Sequence, residues 1–88
     1  MMQGEKKKVP VGKIIHFYNK INVAVVELSD NLKQGDDIVI EGHGKEVIQK
    51  VASMQIEHKD IQLATKGQSI GMKTADAVKE GDLVFKLV

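Results

Sequence analysis

Three histidines (His16, His43, His58), two acidic residues close to the last of them (Glu57, Asp60) and three serines (Ser29, Ser53, Ser69) are the side chains with which this chain could do chemistry. Metal binding needs donors that converge on one point. Only Glu57 and His58 are adjacent in sequence, and neighbours on a strand point to opposite faces, so they form no ready chelate. Nucleophilic catalysis needs a hydroxyl or thiol, a base and an orienting group together. The serines fall in turn or strand contexts without such partners, and there is no cysteine. The expectation is a non-catalytic domain with no cofactor and no metal.

Binding chemistry is the remaining option. Lys6, Lys7, Lys8, Lys13 and Lys20 cluster towards the N-terminus, with Phe17 and Tyr18 as the stacking platform of a candidate RNA strip. Being adjacent, one ring should face the core and the other solvent. Thirteen basic residues against twelve acidic ones leave a net charge of +1, so no long-range field for phosphate is expected. All thirteen are lysine, which removes the forked arginine contacts that read bases. The lack of cysteine fits a reducing cytoplasm. Met1 to Lys8 has no apolar leader-like run, and no stretch is long enough to span a membrane, so a cytoplasmic protein with no membrane partner is expected.

The elements that must position these residues are written in repeated turn chemistry. Lys33-Gln34-Gly35-Asp36 returns as Lys79-Glu80-Gly81-Asp82, each followed by an apolar run, and Ala64 to Met72 is a looser version. Glycine tolerates a positive φ, and the adjacent aspartate can accept bonds from nearby backbone amides. With 88 residues, 42% of them hydrophobic, and only two Phe and one Tyr, the chain should be one domain with an aliphatic core. A flexible polar tail over residues 1–8 precedes a β domain over residues 9–88. Strands are predicted at Val9 to Tyr18, Val23 to Leu28, Asp37 to Glu41, Gln68 to Lys73 and Leu83 to Leu87. Periodicity between Lys45 and Lys66 fits either a strand or an amphipathic helix. Ala75 to Val78 could form a single helical turn. Gly35, Gly67 and Gly81 should lie in turns, with Ile38, Ile40, Val51, Ile70 and Leu83 mostly buried. Six short strands favour an all-β, closed, six-stranded antiparallel barrel, since closure removes exposed edges.

Val51-x-Ser53-Met54-x-x-x-His58, then Ala64-x-x-Gly67-x-x-Ile70-Gly71, framed by the two Gly-Asp turns, resembles the second domain of translational GTPases such as elongation factor Tu. The likeness spans roughly Val11 to Val88. It implies that Val47 to Ile56 is one long strand with a bulge near Ser53-Met54, in place of a helix. No Gly-x-x-x-x-Gly-Lys-Ser/Thr loop occurs, so the chain alone should not bind GTP in that family's manner. In that family a histidine and an asparagine, at positions matching Glu57 and Ser69, help hold the aminoacyl end of tRNA; neither is retained here. His58 matches a second histidine of the archaeal and eukaryotic type. The resemblance implies a binding module contacting RNA, the ribosome or a translation protein. Its candidate contacts are Lys13, Tyr18, Lys20, Glu57, His58, Lys59 and Ser69. The alternative is an accessory barrel acting beside an enzyme such as a collagenase-like peptidase, with a protein partner and no nucleic-acid role.

Overall fold

The structure, a computed structural model, describes residues 7–88, so Met1 to Lys6 of the tail expected over residues 1–8 lie outside the described residues. They form ten strands and no helix: β1 Lys8–Tyr18, β2 Val23–Leu28, β3 Leu32–Lys33, β4 Asp37–Gly42, β5 Lys45–Lys50, β6 Met54–Ile56, β7 Lys59–Ile61, β8 Leu63–Ala64, β9 Ser69–Lys73 and β10 Leu83–Leu87. Eight make one antiparallel sheet in the order β5-β4-β10-β1-β2-β9-β6-β7, and β3 pairs with β8 as a separate ribbon. Lys8 pairs with Leu87 in the sheet, and Lys7, just ahead of β1, exchanges backbone bonds with Val88.

Alternation decides which side of each strand is buried. In β2, Ala24, Val26 and Leu28 point inward while Val23, Val25 and Glu27 point outward. Val47 from edge strand β5 and Met54 from β6, next to the other edge, belong to the same buried cluster. The sheet must therefore curve round its inner face. Two bulges in β1, at Val11 and Ile15, let this long strand bend as it serves both halves.

Curvature stops short of closure. β5 and β7 remain edges, which corrects the expected closed six-stranded barrel to an open curved sheet with a two-stranded ribbon. What lies against β5 is the link between β9 and β10, held by side chains instead of a ladder. Gln49 Nε2 donates to Lys73 O at 3.0 Å, Ala75 N donates to Gln49 Oε1 at 2.6 Å, and Lys45 Nζ donates to Ala77 O at 3.1 Å. Ala75 to Val78, expected as a helical turn, is part of this irregular link.

The single strand expected over Val47 to Ile56 is also corrected, because the chain leaves the ladder at Val51 to Ser53. Val51 is captured by the first Gly-Asp turn: its N–H donates to Asp36 O, and its carbonyl accepts from Gly35 N, both at 2.9 Å. Gln34 Nε2 holds Ala52 O in the same way at 2.8 Å. Ile38, Ile40, Val51 and Ile70 are buried as expected, but Leu83 is 47% exposed. The phase of β10 is set by Asp82, which is buried, so Leu83 turns out and Val84 turns in.

Gly35, Gly67 and Gly81 occupy turns with φ of +92°, +91° and +93°. A valine at Gly81 meets no steric obstacle but must adopt a backbone that L-residues avoid. We expect Gly81→Val to lower stability by about 1–3 kcal/mol. An unchanged midpoint of thermal unfolding would contradict the turn assignment.

Candidate functional site

The two Gly-Asp turns are built alike and used differently. In each, the aspartate Oδ2 accepts from the lysine three residues earlier: Lys33 N to Asp36 and Lys79 N to Asp82, both 2.9 Å. The aspartate N–H returns to that lysine's carbonyl at 3.1 Å and 3.0 Å. One carboxylate oxygen therefore suffices for the turn. Asp82 uses its second: His43 Nδ1 donates to Oδ1 at 2.8 Å. Since the carboxylate oxygen accepts, Nδ1 carries the hydrogen and a neutral ring keeps Nε2 as a bare acceptor.

This pair is placed by tight backbone work. His43 and Gly44 form the two-residue turn between β4 and β5, with φ of +54° and +73°. Both central residues in the left-handed region is the turn that matches strand twist, and it usually takes Asn-Gly. Just before it, a Cβ on Gly42 would lie 2.0 Å from Asp82 Oδ1, so the carboxylate packs where a side chain would be. The Asp82 side chain is 7% exposed and that of His43 55% exposed.

Beside the pair lies a cleft of about 300 Å³ lined by Phe17, Asn19, His43, Lys45, Val78 and Asp82, among others. Val78 is buried in the core, and Phe17 packs half-buried against it, giving the cleft an apolar wall. Lys45 also faces Asp76 at 3.3 Å. The Asp76 carboxyl is held below the usual range, first by the Ala77 backbone N–H and then by Lys45. With its folded pKa depressed, that interaction is present at neutral pH and lost as the pH falls through the carboxylate range.

The candidate contacts read from the sequence fall into two groups at opposite ends of the sheet. Tyr18 ends β1 and Lys20 lies in the following turn, where Tyr18 pairs with Val23 and Val23 with Lys73. Tyr18 is exposed and stands edge-on to His16 with ring centroids 4.4 Å apart, while Phe17 turns inward. Lys13 and Ser69 sit at the other end with Glu27 between them, in one outward row. Glu57 and His58 form the β6–β7 turn at that same end, and Lys59 begins β7. Lys8 is bonded to Glu41 and lies 3.5 Å from Glu46, Lys6 falls outside the described residues, and among the described residues Lys13 and Lys20 lie at opposite ends of the sheet.

The histidines stay apart. His16 Nδ1 lies 3.4 Å from Glu80 Oε2, His43 holds Asp82, and His58 occupies its hairpin tip. Among the described residues no three of His, Asp and Glu converge as metal ligands. Glu57 and His58 have φ of +51° and +65°, a turn that neither residue favours. His58→Gly should raise stability by about 1 kcal/mol, seen as a higher melting midpoint; a lower one would mean that the ring makes a contact worth more than the strain.

No protein-family model matches the chain. It is 43% identical over 82 residues to an uncharacterized protease of Methanocaldococcus jannaschii, covering 92% of this chain and 20% of that protein. It is 36% identical over 83 residues to a collagenase of Porphyromonas gingivalis, again covering 92% of this chain and 20% of the relative. Its relatives are proteases and collagenases. The chain spans about a fifth of the length of these curated relatives. Two crystal structures of the C-terminal domain of a Geobacillus thermoleovorans U32 peptidase share the fold, with TM-scores of 0.83 and 0.82 at 15% and 14% identity. They cover 88% and 98% of this chain, each over 98% of its own length.

These findings overturn the resemblance to elongation factor Tu and with it the translation-factor reading. The physical reason lies in the motifs that carried it. They are mostly Gly-Asp turns followed by apolar strands, which any small curved β domain needs at its corners.

The sequence reading missed Asp82 with His43 as a pair. Its one available signal was Gly42-His43-Gly44, a histidine between two glycines, which marks a backbone shaped around a side chain.

Proposed function

We propose that this chain is a non-catalytic accessory domain that docks on a peptidase of the U32 and collagenase type. The observation that carries this reading is the match at 43% identity across nearly all of the chain to only a fifth of a protease. The remaining length of such a relative is ample for catalytic machinery elsewhere.

A surface suited to docking supports the reading. On the outer face, Ile48, Val39, Phe85 and Pro10 form a row across β5, β4, β10 and β1. Val39 is buried yet lies outside the core cluster, so its cover comes from this outer row. Leu83 and Leu87 extend the patch along β10. Lys8, opposite Leu87, reaches across this face to Glu41 and Glu46 at its Leu83 end, and Lys50 pairs with Asp37 at its Leu87 end. Exposed apolar residues with charged groups among and beside them mark an interaction surface.

The test mixes the purified chain with the portion of the M. jannaschii protease outside the matched stretch, read by co-elution on size exclusion. Co-elution is expected for the chain, and its loss for Ile48→Glu. Ile48 is 67% exposed, so that variant should keep its melting midpoint. Failure of the unaltered chain to co-elute, or full retention by Ile48→Glu, would count against the docking face.

A further inference from the structure

We propose that the cleft between the β4–β5 turn and the β9–β10 link is a peptide-binding site. In this site His43 Nε2 accepts a peptide N–H while Phe17 and Val78 receive an apolar side chain. The naming of a peptide as the occupant rests on the accessory reading; the geometry of the site does not.

The twin turns supply an internal control. Asp36 shows that a Lys-x-Gly-Asp turn closes with one carboxylate oxygen. The bond from His43 to the other oxygen of Asp82 is thus additional to turn construction, as is the missing side chain at Gly42, which makes room for the carboxylate. These two features together hold one imidazole. A ring fixed through Nδ1 by a buried carboxylate presents Nε2 in a defined tautomer, the arrangement that proteins use when that nitrogen must meet something.

What it meets is constrained by the surroundings. Among the described residues too few donors converge for a metal. A volume of about 300 Å³ takes one or two side chains, not a folded partner. Phe17, Ala77 and Val78 call for an apolar group, a bare ring nitrogen calls for an N–H, and the Asn19 amide can both donate and accept. An extended peptide carrying a bulky apolar residue offers all of these at once. Lys45 pairs with Asp76, and the lining carries both a lysine, Lys79, and an aspartate, Asp82, so the cleft has no strong charge preference and an uncharged segment suits it.

The experiment titrates the whole chain with acetyl-Gly-Gly-Leu-Gly-Gly-amide, followed by two-dimensional amide NMR. Shifts centred on Phe17, Asn19, His43 and Val78 are expected, together with movement of the His43 imidazole nitrogen resonances. The all-glycine peptide should produce neither. His43→Asn keeps a residue that tolerates the left-handed turn and should weaken binding about fivefold, the worth of one hydrogen bond, with the spectrum of a folded domain retained and changes confined to the surroundings of Asp82. Equal response to both peptides, no response in the cleft, or silent imidazole nitrogens would overturn the proposal. Co-elution with the peptidase portion but no peptide shifts would sink this inference alone. Peptide shifts without co-elution would sink the docking reading alone.

Discussion

Replacing Gly42 with alanine is expected to lower stability by about 3 kcal/mol, at the upper end of what overpacking costs. The midpoint of urea unfolding should fall at constant slope. The added Cβ would stand 2.0 Å from Oδ1 and 2.6 Å from Cγ of Asp82, and 3.2 Å from its Cα. The carboxylate cannot swing aside freely, because it is buried and already accepts from Lys79 N and His43 Nδ1. Moving it would strand a buried acceptor or a backbone N–H, and each such loss is costly. The cause can be isolated by repeating the substitution in an Asp82→Ala background. There the alanine at 42 should cost less than about 1 kcal/mol, leaving a strong coupling between the two sites. Equal cost in both backgrounds would mean that the carboxylate is not the obstacle.

The second large effect is expected at Leu32. It is fully buried, yet it sits on β3, a strand of two residues paired only with β8. So short a ribbon has little hydrogen-bonding hold of its own, and the segment between β2 and β4 is fixed by this side chain entering the core together with the bonds of Gln34, Gly35 and Asp36 to Gln62, Val51 and Ala52. Leu32→Ala should therefore cost about 2–5 kcal/mol, depending on how far the site collapses. For a domain of this size that is a large part of the total. Leu63, across the ribbon from Lys33, is 58% exposed, and Leu63→Ala should change stability by less than about 0.5 kcal/mol. Similar losses at both positions in urea unfolding would show that the ribbon itself, and not the buried leucine, holds the segment.

Much of the scaffold was legible in the sequence because its signals are local. The strands at Val23–Leu28 and Leu83–Leu87 match the predicted bounds, and β1 begins one residue early at Lys8. Glycine turns announced themselves because only a few residues tolerate their φ. What was not legible depended on contacts between distant segments. Nothing near Val51 signals that the 33–36 turn will take both of its backbone groups, and so cut one strand into two. Nothing near Gln49 signals that its amide will hold the β9–β10 link and leave the sheet open. The phase of β10 turned on the burial of one aspartate. The candidate contacts around Glu57 and His58 came from a resemblance borne by corner motifs, and such motifs describe a scaffold more than its task. The His43–Asp82 pair joins residues thirty-nine apart, and the histidine looked like any other hairpin tip.

The side-chain clasp on β5 also governs how this protein would fail. An edge strand offers a row of unpaired amides and carbonyls to any passing strand. Here Lys45 and Gln49 tie the neighbouring link across that row, and the outward Ile48 stands beside it. Heat or acid that frees the link would bare the row and an adhesive side chain together. Intermolecular association on denaturation should then nucleate at β5, and short, charged β7 at the far edge should contribute little to it.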